Sequence, residues 1–328
     1  MTDIDTVRMS TPLVSVIVPN YNHNHFLAQR LDSILNQTFQ DFELIILDDC
    51  STDNSRDIIE KYRTSEKVSH VIYNEKNSGS PFLQWQKGLS LARGEYIWIA
   101  ESDDYSDLIF LEKMIFLLKN NLSCNISYCC SHLIDENGNI LPIDWDRNKQ
   151  ERYAVNVFDG KQFLKARMLF DNSIYNAGMA VFRKSAYKNI GNEFTKYTFC
   201  GDWYFWNKIC IQGTVIRYCD KLNYFRQHSD KVTPRADSEG GIKFIEGKYV
   251  FKDVMDMLSF SKLQNDIAVG KFTKRIKNFK LFKNENIREK VLDDVCNYLK
   301  ASYWNIFIYE LDKFFNFSSL NLRKNKYI

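Results

Sequence analysis

Three uninterrupted apolar runs, spaced by helix-patterned stretches, constrain this chain more than any other feature. VSVIV (14–18), ELIIL (43–47) and YIWIA (96–100) are rich in β-branched residues and have no polar face, as strands covered on both sides require. After the first run, Leu27, Leu31, Ile34 and Leu35 recur at helix spacing. Ser51 or Asp53 caps a helix over 54–63. VSHVIY (68–73) reads as a further strand, and Ser80-Pro81 opens a helix that ends at Ala92 with Gly94 as its stop signal. Leu108, Leu111, Ile115 and Leu118 mark another amphipathic helix. This alternation predicts an α/β fold with a mostly parallel central sheet flanked by helices, and ligands beyond the carboxyl ends of its strands.

Three of those strand ends are polar: PNYN (19–22), DDCSTD (48–53) and ESDD (101–104). Past residue 125 the texture changes. SYCCSHLI (127–134), ENGN and ILPI (140–143) read as a hairpin, AGMAVF (177–182) as one more strand, and TVIRYC and LNYFRQH as two short strands. Asp202 opens a helix, DWYFWNKICIQG, that stops at Gly213, and beyond about 237 only helical patterns remain. We therefore divide the chain into an N-terminal tail (1–12), a catalytic unit (13–236, with halves 13–124 and 125–236) and a helical C-terminal region (237–328).

Length and composition agree with this division. At 328 residues about two units are expected, and 45% hydrophobic with 15% aromatic residues excludes a disordered or collagenous chain. A net charge of +3 is too small to point to nucleic acid. None of the eight cysteines forms a C-x-x-C pair, the opening MTDIDTVRMSTP lacks a signal peptide's apolar stretch, and no run approaches the length of a membrane span. The expected location is cytoplasmic, with reduced thiols.

The loop after the first strand, PNYNHNH, has no glycine, and no G-x-x-x-x-G-K-[ST] occurs. Both glycine-based phosphate cradles are thereby excluded. A diphosphate then needs a divalent ion, for which Glu101, Asp103 and Asp104 supply hard oxygen ligands whose mutual repulsion a cation relieves. The same acids also suit a turn, or the cap of the helix starting near 107.

VSVIVPNYN (14–22), LNQTFQDFELIILDDCSTDNS (35–55), NSG (77–79), ARGEYIWIAESDD (92–104) and GDW (201–203) resemble, in order and spacing, the family 2 glycosyltransferases of GT-A fold over roughly residues 13–230. The resemblance implies a Rossmann-like sheet and an inverting transfer from a nucleotide-sugar donor, a UDP-sugar. Pro19, Tyr21 and Asn22 would line the nucleoside, and Asp49 would hydrogen-bond the base, a carboxylate suiting an N–H of uracil, thymine or guanine. Asn77 and Gly79 would approach the nucleotide or form a helix-entry turn. By the same resemblance Glu101 would face the ribose, Ser102 would lie at the nucleotide, and Asp103 would bind Mn2+ or Mg2+, with Asp104 and His228 as further ligands. Glu at the first position of this acidic triplet departs from the family's Asp. Asp202 matches the catalytic base, beside Trp203, and Arg226 is expected on phosphate or acceptor. Asn176 to Met179 would face the acceptor, a saccharide or lipid-linked molecule of polysaccharide or glycolipid synthesis. His23 and His25 read as solvated, and His70 and His132 as strand residues.

In VGKFTKRIKNFKLFK (269–283) an apolar stripe of Phe272, Ile276, Phe279 and Phe282 is ringed by basic residues with no acid. It suits the inner membrane surface, or a helix packed on the catalytic unit. The aromatic stretch 298–317 reads as core or a homodimer interface. The rival functional readings are a nucleotide-sugar-binding partner without turnover and a nucleotide-sugar hydrolase.

Overall fold

The structure, a computed structural model, describes residues 11–146, 152–228, 241–316 and 320. The tail up to residue 10 and the 229–240 junction between the predicted units lie outside the described residues. The apolar runs form parallel strands β1 (Val14–Asn20), β2 (Phe42–Asp48), β3 (Val68–Tyr73) and β4 (Tyr96–Ile99). Helices α1 (Asn24–Leu35), α2 (Ser55–Tyr62) and α3 (Pro81–Leu91) connect them. Sheet order is β3-β2-β1-β4 and continues through four later strands. These are β5 (Tyr105–Ser106), β6 (Cys124–Ile134), β8 (Ala180–Arg183) and β9 (Thr214–Arg226), in the order β4-β8-β6-β9-β5, with β7 (Val155–Asp159) also on β9. Strand β8 is antiparallel to β4 and β6, whereas β6 and β9 run parallel. The two short strands expected over 214–228 are one, bulged against β6 near Cys130.

Capping follows the sequence at α3, where the Ser80 hydroxyl accepts from Phe82 N and Pro81 opens the helix. Gly94 has a different task from the one expected. The helix ends at Leu91, and a Cβ on Gly94 would lie 2.6 Å from Ser15 N, so this glycine admits the close approach of β1.

Beyond the sheet come α4 (Phe110–Lys119) and α5 (Gly201–Cys210), then four helices: α6 (Ile242–Leu258), α7 (Lys262–Asn278), α8 (Glu285–Leu299) and α9 (Tyr303–Phe315). The first three of these four share the protein's buried core, since Phe244, Phe251, Ile267, Phe272 and Val295 belong to the same cluster as the strands. This corrects the membrane expectation for 269–283. Its helix ends at Asn278, Phe272 and Ile276 are buried, and Phe279 and Phe282 pack around Phe244. The described part of the 298–317 stretch, up to 316, does not form core. Helix α9 buries Asn305 and Asp312 while Tyr303, Trp304, Phe307, Phe314 and Phe315 are exposed. Among the described residues no helix is long and apolar enough to cross a membrane.

Candidate active site

The pairing register sets the site. Asn20 lies opposite Asp48, and Ile17 opposite Ile99, so the polar ends of β1, β2 and β4 meet on one edge of the sheet. Asn20 Nδ2 donates to Asp48 Oδ1 (2.9 Å), Asn22 N to Ser51 Oγ (3.0 Å), and Thr52 N to Asn22 Oδ1 (2.8 Å). Asn22 and Cys50 hold the left-handed backbone, at φ 56° and 64°. Such strain in non-glycine residues persists where surrounding bonds over-determine it. Pro19 is buried and Tyr21 exposed at the rim.

Asp49 is buried and heavily bonded. It accepts from Asn74 Nδ2 (2.6 Å), Ser78 N (3.0 Å), Ser78 Oγ (2.7 Å) and Gln84 Nε2 (2.8 Å). Asn77 Nδ2 donates to Asp49 O, and Gly79, at φ 76°, closes the turn by donating to Asn77 Oδ1. This ties 77–79 to the end of β2.

After β4 the four residues 101–104 divide their tasks. Glu101 Oε1 accepts from Trp85 Nε1 (3.0 Å), and burial, helped by the charges of Asp103 and Asp104, pushes its carboxyl up to about 8. Asp103 Oδ2 lies 3.0 Å from His228 Nε2. Candidate ligand atoms of His23, Asp103 and His228 all fall within 4.8 Å of one another. One carboxylate oxygen and two imidazole nitrogens suit Mn2+ better than Mg2+. Ser102 is buried with its Oγ 2.8 Å from His23 Nδ1. It is thus placed to orient a ligand, not to meet a ribose.

Two expected contacts of the acidic stretch are corrected. Asp104 is fully buried, Oδ1 accepting Arg226 N (2.8 Å) and Oδ2 accepting Asn176 Nδ2 (2.7 Å), so it braces β9 and is closed to a metal. Arg226 does not reach phosphate. It is 2% exposed, and its guanidinium donates to Asp103 O, Asp135 O, Glu136 O and Gln29 Oε1 while lying 4.5 Å over Phe26. Sequence reasoning missed two residues. His23, which reads as solvated in sequence, is half-buried beside Asp103 and His228. Arg30, wholly buried on α1, donates to Glu101 O (2.7 Å) and Ser106 Oγ (3.0 Å) and feels the charges of Asp104, Asp103 and Glu101. Neither a polar loop nor a helix pattern shows these contacts, because Ser102, Glu101 and Ser106 lie 71 to 79 residues away in sequence.

Asp202 opens α5. Oδ1 accepts Trp203 N (2.6 Å) and Oδ2 accepts Asn172 Nδ2 (2.9 Å), while burial pushes the carboxyl up to about 7. Trp203 does not line an acceptor space. It is buried and donates from Nε1 to Met168 O (2.8 Å), which fixes the 168–172 segment against α5. Asn176 is likewise buried, bonded to Asp104 and Asn223.

With this geometry in place, comparison with known proteins is decisive. The model of the family described as glycosyl transferase family 2 matches residues 15–191, more than half of the chain. The chain belongs to glycosyl transferase family 2. It is 38% identical over 133 residues to TuaG of Bacillus subtilis (strain 168), a glycosyltransferase named for teichuronic acid biosynthesis. That match covers 40% of this chain and about half (51%) of TuaG. A glycosyltransferase of Methanocaldococcus jannaschii is 26% identical over 308 residues, covering 93% of this chain and 88% of that protein. Among solved structures, Staphylococcus aureus TarS 1–349 in complex with UDP-GlcNAc aligns at TM-score 0.55 and 20% identity, over 95% of this chain and 75% of that one. The mannosyltransferase PcManGT of Pyrobaculum calidifontis, in complex with GDP-Man and Mn2+, aligns at 0.52 and 15% identity, over 92% and 73%. These likenesses give the fold, which is GT-A, as the sequence led us to expect.

Proposed function

We propose that this glycosyltransferase is an inverting, metal-dependent enzyme that moves a sugar from a UDP-sugar to a hydroxyl acceptor in polysaccharide or glycolipid biosynthesis. The observation that carries this reading is the meeting of His23, Asp103 and His228 at the strand ends. These three residues would hold Mn2+, or Mg2+ less well, and the ion would stabilise the departing diphosphate. The nucleoside would lie over Tyr21 and Asn22, against the turn 77–79 that Asp49 organises. Asp202 would act as general base: a carboxyl raised to about 7 is half ionised near neutrality, which suits proton removal from an acceptor hydroxyl. Asn172 and the Trp203 amide hold it in one orientation.

The donor class is supported by the UDP-GlcNAc and GDP-Man named in the structures of similar fold. The acceptor class is supported by relatives named for teichuronic acid and poly(ribitol-phosphate) glycosylation. We assign the nucleotide to 13–124, the acceptor to 125–236, and supporting packing to the helical region after 237. A cytoplasmic location accords with eight cysteines that form no disulfide among the described residues.

The test is release of nucleoside diphosphate from a panel of UDP- and GDP-sugars, with Mn2+ or with chelator. Release that needs both Mn2+ and an acceptor is expected. Equal release to water identifies a hydrolase, and no release with any donor leaves a binding protein; either overturns the proposal.

A further inference from the structure

Helix α5 begins without a cap of its own. Cys200, the residue before it, makes no side-chain hydrogen bond to the first turn, and Gly201 and Asp202 are the first two helical residues. The opening N–H groups of a helix have no intrahelical partner, so α5 by itself holds these residues weakly. A side chain 46 residues beyond Cys200 takes over the task. Glu246 of α6 accepts four hydrogen bonds from the three residues before Gly201. Its Oε1 accepts from Thr198 N (2.9 Å) and Thr198 Oγ1 (2.6 Å), and its Oε2 from Phe199 N (2.9 Å) and Cys200 N (2.8 Å). Successive N–H groups converging on one carboxylate form a nest, in which each bond is strengthened by the charge.

The rest of α6 keeps this carboxylate in place. Gly247 lets α6 close on α5, since a Cβ there would lie 3.3 Å from Trp203 Cζ3. Cys200 Sγ donates to Lys243 O (3.6 Å), and Lys208, towards the far end of α5, pairs with Asp253 (2.7 Å). The other flank of Asp202 is held from α7. The Arg275 guanidinium donates to Phe170 O and to Asp171 Oδ2 (2.5 Å), and the next residue, Asn172, donates to Asp202 Oδ2 (2.9 Å). Both grips come from the helical region after 237, whereas the family match ends at residue 191.

We propose that Glu246 is a positioning residue for Asp202: from the C-terminal helices it fixes the start of α5 and so aims the carboxylate that takes the acceptor's proton. The inference rests on the transferase reading above and makes the helical region part of the catalytic apparatus, not packing alone. A side chain at the second position of a helix moves with the backbone ahead of it, and misaiming a reacting group by about 1 Å costs on the order of a hundredfold in rate. Burial raises the Asp202 carboxyl to about 7, and the Glu246 charge adds to that effect. The other charged groups around this end of α5 are Lys243 of α6, Asp171 with its partner Arg275, and the Glu193–Lys196 pair of the preceding turn.

The test compares Glu246→Gln with Lys208→Met in the full chain. Glutamine has the same size but one acceptor oxygen, so two of the four bonds are lost together with the charge. Lys208→Met loosens the same contact between α5 and α6 without touching residues 198–202. Both should lower the melting temperature. Only Glu246→Gln should lower kcat, by about tenfold or more, with the donor KM unchanged within about twofold. Wild-type kcat/KM should gain about tenfold from pH 6 to pH 8, as a carboxyl titrating near 7 ionises. The gain in Glu246→Gln should be about fourfold or less, and Glu246→Asp, which keeps the charge but not the reach, should recover the gain without the kcat. Thr198→Val removes one hydroxyl bond from an exposed residue and serves if Glu246→Gln does not fold. Its kcat should fall about threefold, and an unchanged kcat overturns the proposal. Independently of turnover, carbon-13 NMR of the Asp202 carboxyl, assigned by its loss in Asp202→Asn, should titrate at lower pH in Glu246→Gln than in wild type or Lys208→Met. Equal kcat and equal pH profiles in Glu246→Gln and Lys208→Met overturn the proposal. An Asp202 carboxyl that responds to Glu246→Gln in a protein that transfers no sugar would sink the transferase reading alone. Turnover that needs Asp202 yet ignores Glu246 would sink the positioning role alone.

Discussion

Asp202→Asn separates a catalytic base from an ordinary helix cap by the sign of its effect on stability. In the folded protein the carboxyl titrates near 7 against an ordinary value of 3.8, chiefly through burial. A raised folded value means the neutral form is favoured in the native state. Stability from this group is therefore complete below 3.8, declines as pH rises, and is fully lost above about 7. The interval corresponds to about 4 kcal/mol as a ceiling. Asp202 keeps a partial opening to solvent, so about 2 kcal/mol is a fairer expectation. Asparagine removes this penalty but can accept from only one of Trp203 N and Asn172 Nδ2, a loss of about 1 kcal/mol.

The variant should therefore be more stable than wild type at pH 8.5 and equal or less stable at pH 5. Because part of the penalty is already present at pH 5, above the ordinary value of 3.8, the difference between the two ΔΔG values should be about 1 kcal/mol. Urea unfolding of chelated protein at the two pH values measures it directly. In parallel, wild-type kcat/KM should climb with pH and level off above about 7, while Asp202→Asn loses about a hundredfold or more and keeps donor binding. A ΔΔG that does not change with pH, or turnover surviving in the variant, would refute the reasoning.

Other expectations are as direct. His23→Ala should weaken Mn2+-dependent nucleotide binding about tenfold or more, whereas His25→Ala, on an exposed side chain, should not; calorimetry distinguishes them. Arg226→Met removes a buried guanidinium from four partly buried acceptors and should cost about 2 kcal/mol in denaturant unfolding; normal stability with a raised donor KM would return Arg226 to a phosphate role. Gly201→Ala places a Cβ 2.6 Å from Phe194 O and 2.5 Å from Phe82 Cδ2. It should displace the start of α5, lowering both the melting temperature and kcat; unchanged values of both would show that Asp202 does not depend on this close packing.

How much of this was legible depends on where each residue's partners lie. The parallel half was readable because VSVIV, ELIIL and YIWIA carry their burial in their own composition, and polar residues can only follow them at the sheet edge. Asp103 and Asp202, to which we assign the metal and the base, stand in short motifs whose spacing is visible in sequence. Arg226 was misassigned because its acceptors are backbone carbonyls of residues 103, 135 and 136, which no side-chain pattern encodes. His23 looked like any histidine in a polar loop until β1 and β4 brought it to Ser102 and Asp103. The two-residue strand β5 has no periodicity to detect, and α9 reverses the usual rule by burying Asn305 against α7, where its Nδ2 donates to Asp266.

The acidic tip is not the bare cluster that its sequence suggests, and this bears on how ligands should bind. Two buried guanidiniums, Arg30 and Arg226, clamp the backbone of Glu101 and Asp103 and leave the Asp103 carboxylate facing His228. Their charges offset those of Asp103 and Asp104, while Glu101, pushed up to about 8, is mostly neutral at pH 7. The site has little net negative charge to attract a dication alone. A nucleoside diphosphate brings that charge, so each ligand should raise the other's affinity by the same factor, about 5–150-fold for coupling of this kind. Titrating Mn2+ into the protein with and without saturating UDP, and UDP with and without Mn2+, gives the two factors independently. Tight Mn2+ binding that UDP does not change would mean that the arginines do not neutralise the tip, and that the carboxylates hold the ion unaided.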